Sequence, residues 1–142
     1  MLIVKRVAHL REWVKATRSK GESIGFVPTM GALHRGHLSL IEKSKQDGQH
    51  TVVSIFVNPT QLNDPEDLKK YPRPLESDIR MLYEIGTEVL FLPDVEDIYP
   101  PGESHEIDFD PGPAADVMEG RFRPGHFKGM AQVVYRLLEI VS

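Results

Sequence analysis

The stretch TVVSIFV, Thr51–Val57, predicts the fold more strongly than any other part of the chain. Every residue in it except Ser54 is apolar or β-branched, and no polar alternation interrupts it. Such a run is typical of a parallel strand that helices cover on both faces. Asn58-Pro59 follows and is expected to end the strand. The stretch therefore predicts a central strand of an α/β domain.

Strands and helices are predicted to alternate on either side of this segment. Two shorter apolar runs, 23–27 and 88–92, are expected to form buried strands, each ended by a proline (Pro28 and Pro93). The spacing of apolar residues predicts helices at 7–19, 37–45, 75–85 and 127–141. This order predicts a Rossmann-like parallel sheet with helices on both faces. In such sheets ligands bind beyond the carboxyl ends of the strands, so the loops that follow 23–27 and 51–57 are the places expected to carry chemistry.

The composition excludes several classes of protein. A length of 142 residues suits one domain, and a net charge of -4 argues against binding nucleic acid by bulk charge. The absence of cysteine excludes disulfides and cysteine-based zinc sites. Leu2–Val4 is too short for the apolar region of a signal peptide, and no run reaches membrane-spanning length, so we expect a cytoplasmic protein with no membrane partner.

The carboxyl-terminal third combines an acidic stretch with a basic turn. Nine acidic residues and no lysine or arginine lie between Asp94 and Gly120, which predicts a solvated flank with a short strand at 106–109. A basic and aromatic turn follows at 121–128. The core stripe of the last helix is expected to comprise Val133, Val134, Leu137, Leu138 and Val141.

The segment VPTMGALHRGH, Val27–His37, lies where the first buried strand is expected to end. Gly31 would let the chain turn close to a ligand, and Gly36 would open a helix whose free N–H groups suit a phosphate. His34 and His37, three residues apart, would then point to the same region as hydrogen-bond donors. An ordinary turn and a metal site are the alternatives, but no neighbouring residue completes a zinc signature. The pattern favours a phosphate site.

Other polar residues admit more than one interpretation. The segment Asn58–Gln61 follows the central strand, where an amide suits a hydroxy-acid substrate, but Asn-Pro is equally typical of a turn. Asp78, near a helix start, is predicted to be a favourable partner of the helix dipole. Arg73 and Arg123 are basic side chains in loops, and His9, His50 and His105 lack a supporting constellation and are expected to be ordinary.

Four blocks of the sequence resemble the pantothenate synthetase family in order and in spacing. They are VPTMGALHRGH, SIFVNPTQ, Asp67-Leu followed by YPR, and RPGHF, and the resemblance runs from about Ile24 to the last residue. His34-Arg-Gly-His37 also resembles the HxGH signature of the wider nucleotidylyltransferase superfamily.

The resemblance implies a Rossmann-like domain that takes part in a two-step ligation. ATP would adenylate the carboxylate of (R)-pantoate, and the amine of β-alanine would then displace AMP to give pantothenate. His37 and His34 would be catalytic, Gln61 and Asn58 would bind pantoate and β-alanine, and Mg²⁺ would come with the nucleotide. The implied ATP site comprises Met30, Gly31, Ala32, Leu33, His34, Arg35, Gly36 and His37. The family also implies a homodimer.

Two departures from the family pattern bear on activity. Gln61-Leu-Asn-Asp-Pro65 stands where the family has Gln-Phe-Gly-Pro-Asn, and family members continue for about as long again beyond Ser142. Residues 1–142 are therefore expected to form an amino-terminal nucleotide-binding domain without its carboxyl-terminal partner. This amino-terminal domain is expected to bind ATP weakly and to ligate slowly or not at all. The alternatives are another adenylyl- or cytidylyltransferase with the HxGH turn, or a non-catalytic fragment that binds ATP or dimerises.

Overall fold

The computed structural model describes residues 1–59, 74–104, 110, 112–113 and 126–142, without the side chains at 126 and 127. Four strands and five helices occupy these residues. In chain order they are β1 (Leu2–Val4), α1 (Val7–Ser19), β2 (Ile24–Thr29), α2 (Arg35–Gln46), β3 (His50–Ile55), α3 (Leu75–Ile85), β4 (Val89–Phe91), α4 (Val95–Ile98) and α5 (His126–Val141).

The four strands form one parallel sheet in the order β1-β4-β3-β2. The predicted central strand, β3, pairs with β2 on one side and β4 on the other, with Val53 opposite both Val27 and Leu90. Every strand therefore ends at the same edge of the sheet. Consecutive residues of β3 enter opposite cores, as expected for a strand covered on both faces.

Helices cover both faces, which confirms the predicted fold class. On one face, residues of α1 and α5 such as Leu10 and Leu137 pack against Val52 and Phe91. On the other face, residues of α2 and α3 such as Ile41 and Leu82 form a second core. Val53 and Leu90 of the sheet complete this second cluster.

The prediction placed some boundaries wrongly. β2 does not end before Pro28 but runs through it to Thr29. Proline is tolerated there because β2 lies at the edge of the described sheet, where one side of the strand needs no ladder hydrogen bonds. α2 begins at Arg35 rather than near His37, and β3 ends at Ile55 rather than Val57.

Other features of the structure were not predicted. Leu2–Val4 forms strand β1, and the acidic stretch contains α4, whose Ile98 is fully buried. Leu138, assigned to the core stripe, is half exposed, and Ile140 is buried instead. The predicted strand at 106–109 and positions 121–125 of the predicted basic turn lie outside the described residues, whereas positions 126–128 of that turn belong to α5. None of the helices in the described part of the chain has the length and apolarity needed to cross a bilayer.

Candidate active site

The turn between β2 and α2 lies at the carboxyl edge of the sheet, where the sequence predicted it. Thr29 at the end of β2 anchors the turn, since its hydroxyl donates to the Ser54 carbonyl (2.8 Å) and accepts from the Gly31 N–H (3.1 Å). Gly31 and Ala32 both have left-handed backbone angles, with φ of 84° and 51°. A Cβ at Gly31 would lie 3.2 Å from both Asp78 Oδ2 and Ile55 Cγ2. Glycine is therefore required here by both conformation and space.

Asp78 of α3 holds the same turn from the other side. Its Oδ2 accepts from the Ala32 N–H and its Oδ1 from the Leu33 N–H, both at 2.9 Å. The carboxylate is almost completely buried. The sequence suggested only a helix-dipole partner, because the two segments are 45 and 46 residues apart and no local pattern joins them. The structure thus adds a residue that sequence reasoning missed.

His34 and His37 cap the start of α2. Gly36 N–H donates to His34 Nδ1 (3.1 Å), and His34 N–H donates to His37 Nδ1 (3.2 Å). This reciprocal arrangement satisfies backbone donors that the first turn of a helix leaves without a partner. A Cβ at Gly36 would lie 2.9 Å from His34 Cε1, so glycine leaves room for the ring. The two predicted catalytic histidines therefore lie together, with ring centroids 4.0 Å apart.

The surroundings of His37 favour its neutral form. Burial lowers the pKa of His37 from its ordinary value of 6.5, and the neighbouring His34 lowers it further, while the Asp78 carboxylate partly opposes both. Both Nδ1 atoms accept backbone hydrogen bonds, so the proton of each neutral ring is assigned to Nε2. Each ring can then donate one hydrogen bond from Nε2 to a ligand.

Two cavities flank the turn, and Met30 and Gly31 line both. The first, about 380 Å³, lies between the two histidines and the apolar side of α5, which contributes Val133, Val134 and Leu137. The second, about 370 Å³, is bounded by Lys5, Asp94 and the chain that follows β3. The histidine donors thus face a cavity with an opposite wall that is apolar.

Asn58 follows β3 and is fully buried, and it lines neither of these two cavities. Its Nδ2 donates to the Gly129 carbonyl (3.0 Å) and its Oδ1 accepts from the Tyr99 hydroxyl (3.1 Å). Its side chain therefore links the end of β3 to α5 and to the residue after α4. Gln61, Arg73, Arg123 and the side chain of His126 lie outside the described residues.

A metal site was the competing interpretation of the two histidines. Within residues 1–59, 74–104 and the other described positions, no group of three histidine, aspartate or glutamate side chains could hold a metal ion. The N–H groups of His34 and Gly36 at this helix start are not free, contrary to the prediction from the sequence, but donate to the two rings, so an anion here would have to be bound by the ring donors.

Comparison with known proteins agrees with this geometry. A family model described as Pantoate-beta-alanine ligase matches residues 2–142. The chain belongs to the pantoate-beta-alanine ligase family. The pantothenate synthetase of Phocaeicola vulgatus is 47% identical to it over 142 residues, and that of Flavobacterium psychrophilum is 49% identical over 143 residues. Each alignment covers 100% of this chain and 50% of the relative. The chain thus spans about half the length of the curated family members it matches.

Solved structures of family members share the fold. The pantoate-beta-alanine ligase of Francisella tularensis, solved in complex with beta-gamma ATP and β-alanine, has a TM-score of 0.89 and 45% identity, covering 99% of this chain and 53% of that one. The pantothenate synthetase of Thermus thermophilus has a TM-score of 0.86 and 45% identity, with 99% and 49% covered. The predicted Rossmann-like fold of the nucleotidylyltransferase type is therefore confirmed.

Proposed function

We propose that this protein takes part in the ATP-dependent ligation of (R)-pantoate and β-alanine to pantothenate, and that residues 1–142 form the amino-terminal nucleotide-binding side of the site. The observation that carries the proposal is the His34–His37 pair, which caps α2 and faces a cavity at the carboxyl edge of the sheet. Family membership and the ATP complex of a relative support the choice of substrates.

In the proposed first step, a carboxylate oxygen of pantoate attacks the α-phosphorus of ATP. The new bond joins that oxygen to phosphorus, the bond to the pyrophosphate oxygen breaks, and pantoyl adenylate and pyrophosphate result. Holding both substrates in line supplies about 7–11 kcal/mol of the barrier in favourable cases. Residues 30–37 line the phosphates, and the Nε2–H groups of His34 and His37 donate to the oxygens on which negative charge develops.

A neutral pair of imidazoles suits this task. Protonation of either Nδ1 would break a hydrogen bond that caps α2, and burial and the neighbouring ring already lower the pKa of His37. Neutral donors can bind a phosphate without the charge repulsion that two imidazolium ions 4.0 Å apart would suffer. We therefore expect both rings to act as hydrogen-bond donors at neutral pH.

In the second step, the amine of β-alanine attacks the acyl carbon of the adenylate. The carbon–nitrogen bond forms, the bond to the AMP oxygen breaks, and the amine nitrogen loses a proton. We propose that Gln61 holds pantoate near β-alanine. We propose that Asn58 shapes the pocket indirectly, because its buried amide joins the chain after β3 to Gly129 of α5 and to Tyr99.

Magnesium enters this proposal as part of the substrate. Mg²⁺ prefers phosphate oxygens and water over protein cages, so it would arrive on ATP. The family resemblance further supports a cytoplasmic homodimer, which we include in the proposal.

The experiment that tests the function combines binding with isotope exchange. MgATP is titrated into the 142-residue chain while the ring signals of His34 and His37 are followed by NMR, and ATP–pyrophosphate exchange is measured with and without pantoate. We expect weak binding that moves both ring signals, and slow exchange that requires pantoate. His9→Ala, an exposed histidine on α1, serves as the matched control for His34→Ala and His37→Ala.

Other outcomes separate the alternatives. Exchange that requires a phosphorylated acceptor rather than pantoate would indicate a different HxGH nucleotidylyltransferase. ATP binding without exchange for any acceptor would indicate a non-catalytic fragment. Ring signals of His34 and His37 that stay unchanged at millimolar MgATP would overturn the assignment of the phosphate site itself. Exchange at the rate of a full-length family member would contradict the expectation that residues 1–142 ligate slowly or not at all.

A further inference from the structure

We infer that Asp78 is a positioning residue, which holds the Met30–Leu33 turn in the shape from which His34 and His37 reach the ligand. Both of its carboxylate oxygens accept hydrogen bonds from consecutive backbone N–H groups of that turn, at Ala32 and Leu33. Two N–H groups that converge on one anion form a typical backbone nest. Asp78 fills this nest from within the protein.

Asp78 is buried, unlike Glu76, its acidic neighbour on α3. A buried carboxylate is unfavourable unless hydrogen bonds compensate for the lost water, and the two bonds to the turn provide this compensation. Glu76 lies in the same first turn of α3, but its side chain is 94% exposed and lies 3.8 Å from Arg80. Either residue could interact favourably with the helix dipole. Of these two residues, only Asp78 hydrogen-bonds to the turn.

The turn needs an external partner because its own conformation is unfavourable. Ala32 is the one described non-glycine residue with positive φ, a region that L-residues avoid. Without the carboxylate, the N–H groups of Ala32 and Leu33 would lose their acceptors and the turn could relax. Since Met30 and Gly31 line both cavities, any relaxation would change the walls of both.

Asp78 also acts electrostatically on His37. Its negative charge raises the pKa of His37, against the lowering by burial and by His34. His34 at the start of α2 and Asp78 of α3 are the ionisable groups that act on this imidazole in the described part of the chain. Removing the carboxylate charge should therefore lower the pKa of His37 further.

The test uses Asp78→Asn in the 142-residue chain, with Glu76→Gln as the matched control. Amide hydrogen exchange and histidine ring signals are followed by NMR. We expect at least one of the Ala32 and Leu33 amides to exchange at least about tenfold faster in Asp78→Asn, relative to amides in the middle of β3, because asparagine keeps one acceptor oxygen and its NH₂ group cannot accept the second hydrogen bond. The titration midpoint of His37 should fall while that of His50 stays. Glu76→Gln should change neither.

The outcomes are decisive in both directions. Unchanged exchange at Ala32 and Leu33, or an unchanged His37 midpoint in folded Asp78→Asn, would overturn the inference. If Asp78→Asn does not fold, acid titration of the unsubstituted chain replaces it. The Ala32 and Leu33 amide signals should then move together with the Asp78 carboxyl carbon signal, and independent movement would contradict the inference.

The catalytic consequence rests on the proposed function, whereas these readouts need no nucleotide. If His34 and His37 bind ATP, Asp78→Asn should also weaken MgATP binding, and Glu76→Gln should not. Failure of ATP binding in the unsubstituted chain would count against the proposed function alone. Failure of the amide and His37 readouts would count against Asp78 alone.

Discussion

The histidine pair at the carboxyl edge of the sheet and the single histidine at its amino edge show how different surroundings change the properties of one residue type. At the carboxyl edge, His34 and His37 stack at the start of α2. At the amino edge, His50 begins β3 and contacts two carboxylates, Glu88 through Nδ1 and Glu22 through Nε2 at 2.9 Å. The contacts of His50 join residues at the starts of three strands, since Glu22 precedes β2 and Glu88 precedes β4.

The pKa values of His37 and His50 shift in opposite directions. Burial and His34 lower the pKa of His37, whereas the hydrogen bond to Glu88 raises the pKa of His50 above 6.5. The neutral form of His37 is therefore favoured at the carboxyl edge, where we propose that it donates to an anion, and the protonated form of His50 is favoured between two carboxylates at the amino edge. At His37, burial and the second imidazole outweigh the Asp78 carboxylate, whereas at His50 the carboxylates outweigh burial.

The largest expected effect concerns catalysis at the carboxyl edge. His37→Ala and His34→Ala, made in a full-length ligase, should slow adenylation by about 10²–10³-fold each, with a smaller effect on substrate binding. The reason is that the donors act mainly on charge that develops in the transition state. Single-turnover formation of the adenylate measures this step, and His9→Ala provides the control. Unchanged single-turnover rates in both variants would refute the role.

A smaller effect is expected for the backbone of the turn. Gly31→Ala should lower the free energy of unfolding by about 2 kcal/mol, since it combines left-handed strain with close contacts to Asp78 and Ile55. Gly21→Ala is the matched control, because Gly21 has φ of 78° but open space around it, and should cost about 1 kcal/mol. Urea denaturation measures both. Equal losses would show that the contacts around Gly31 contribute nothing.

The smallest effect is expected at the amino edge and depends on pH. Because the pKa of His50 is raised in the folded state, the folded protein binds the proton more tightly than the unfolded chain. Its stabilisation is therefore present below pH 6.5 and is lost as the pH rises through the raised folded-state pKa. His50→Gln should cost below about 1 kcal/mol at pH 5.5, since the group is partly exposed, and less at pH 9.

Denaturation of His50→Gln and His9→Gln at both pH values tests this expectation. A loss that grows with pH would reverse the sign and contradict the account. NMR titration of the unsubstituted chain sharpens the comparison further, because the His37 midpoint should lie below that of His50. Midpoints in the opposite order would remove the contrast between the two edges.

Much of the fold could be predicted because the decisive signals are local. The helices α1 and α3 have the predicted bounds, and β3 lies at the centre of the described sheet, because apolar spacing and β-branched runs report directly on burial. β1 escaped prediction because three residues carry no periodicity, and it is defined by pairing with β4, which lies far along the chain. α4 escaped prediction because an acidic composition is typical of a solvated segment. In the structure, however, Asp97 of α4 is largely buried and pairs with Arg6 at 3.2 Å.

The candidate site likewise combines local contacts, which could be predicted, with long-range contacts, which could not. The reciprocal contacts at the start of α2 are local, because His34, Gly36 and His37 lie within four residues of sequence. They therefore follow from the predicted helix start. Asp78 reaches the turn from another helix, and Asn58 reaches Gly129 across 71 residues. Such long-range contacts form only in the folded sheet, and the spacing of residues along the sequence does not indicate them. The predicted substrate residue Gln61 lies outside the described chain, and its role stays a prediction.

The contacts that secure α5 have a consequence for the order of folding. Gly129 bonds to Asn58, and the Val141 carbonyl accepts from Arg18 across 123 residues, whereas β2, the turn and α2 are continuous in sequence. Closing long loops is slow, so we expect the histidine side of the first cavity to form early and its apolar wall to arrive late. Pulse-labelling hydrogen exchange should protect α2 amides before those of α5, and simultaneous protection would refute this order. The cavity that faces the histidines would then be a product of the last folding step.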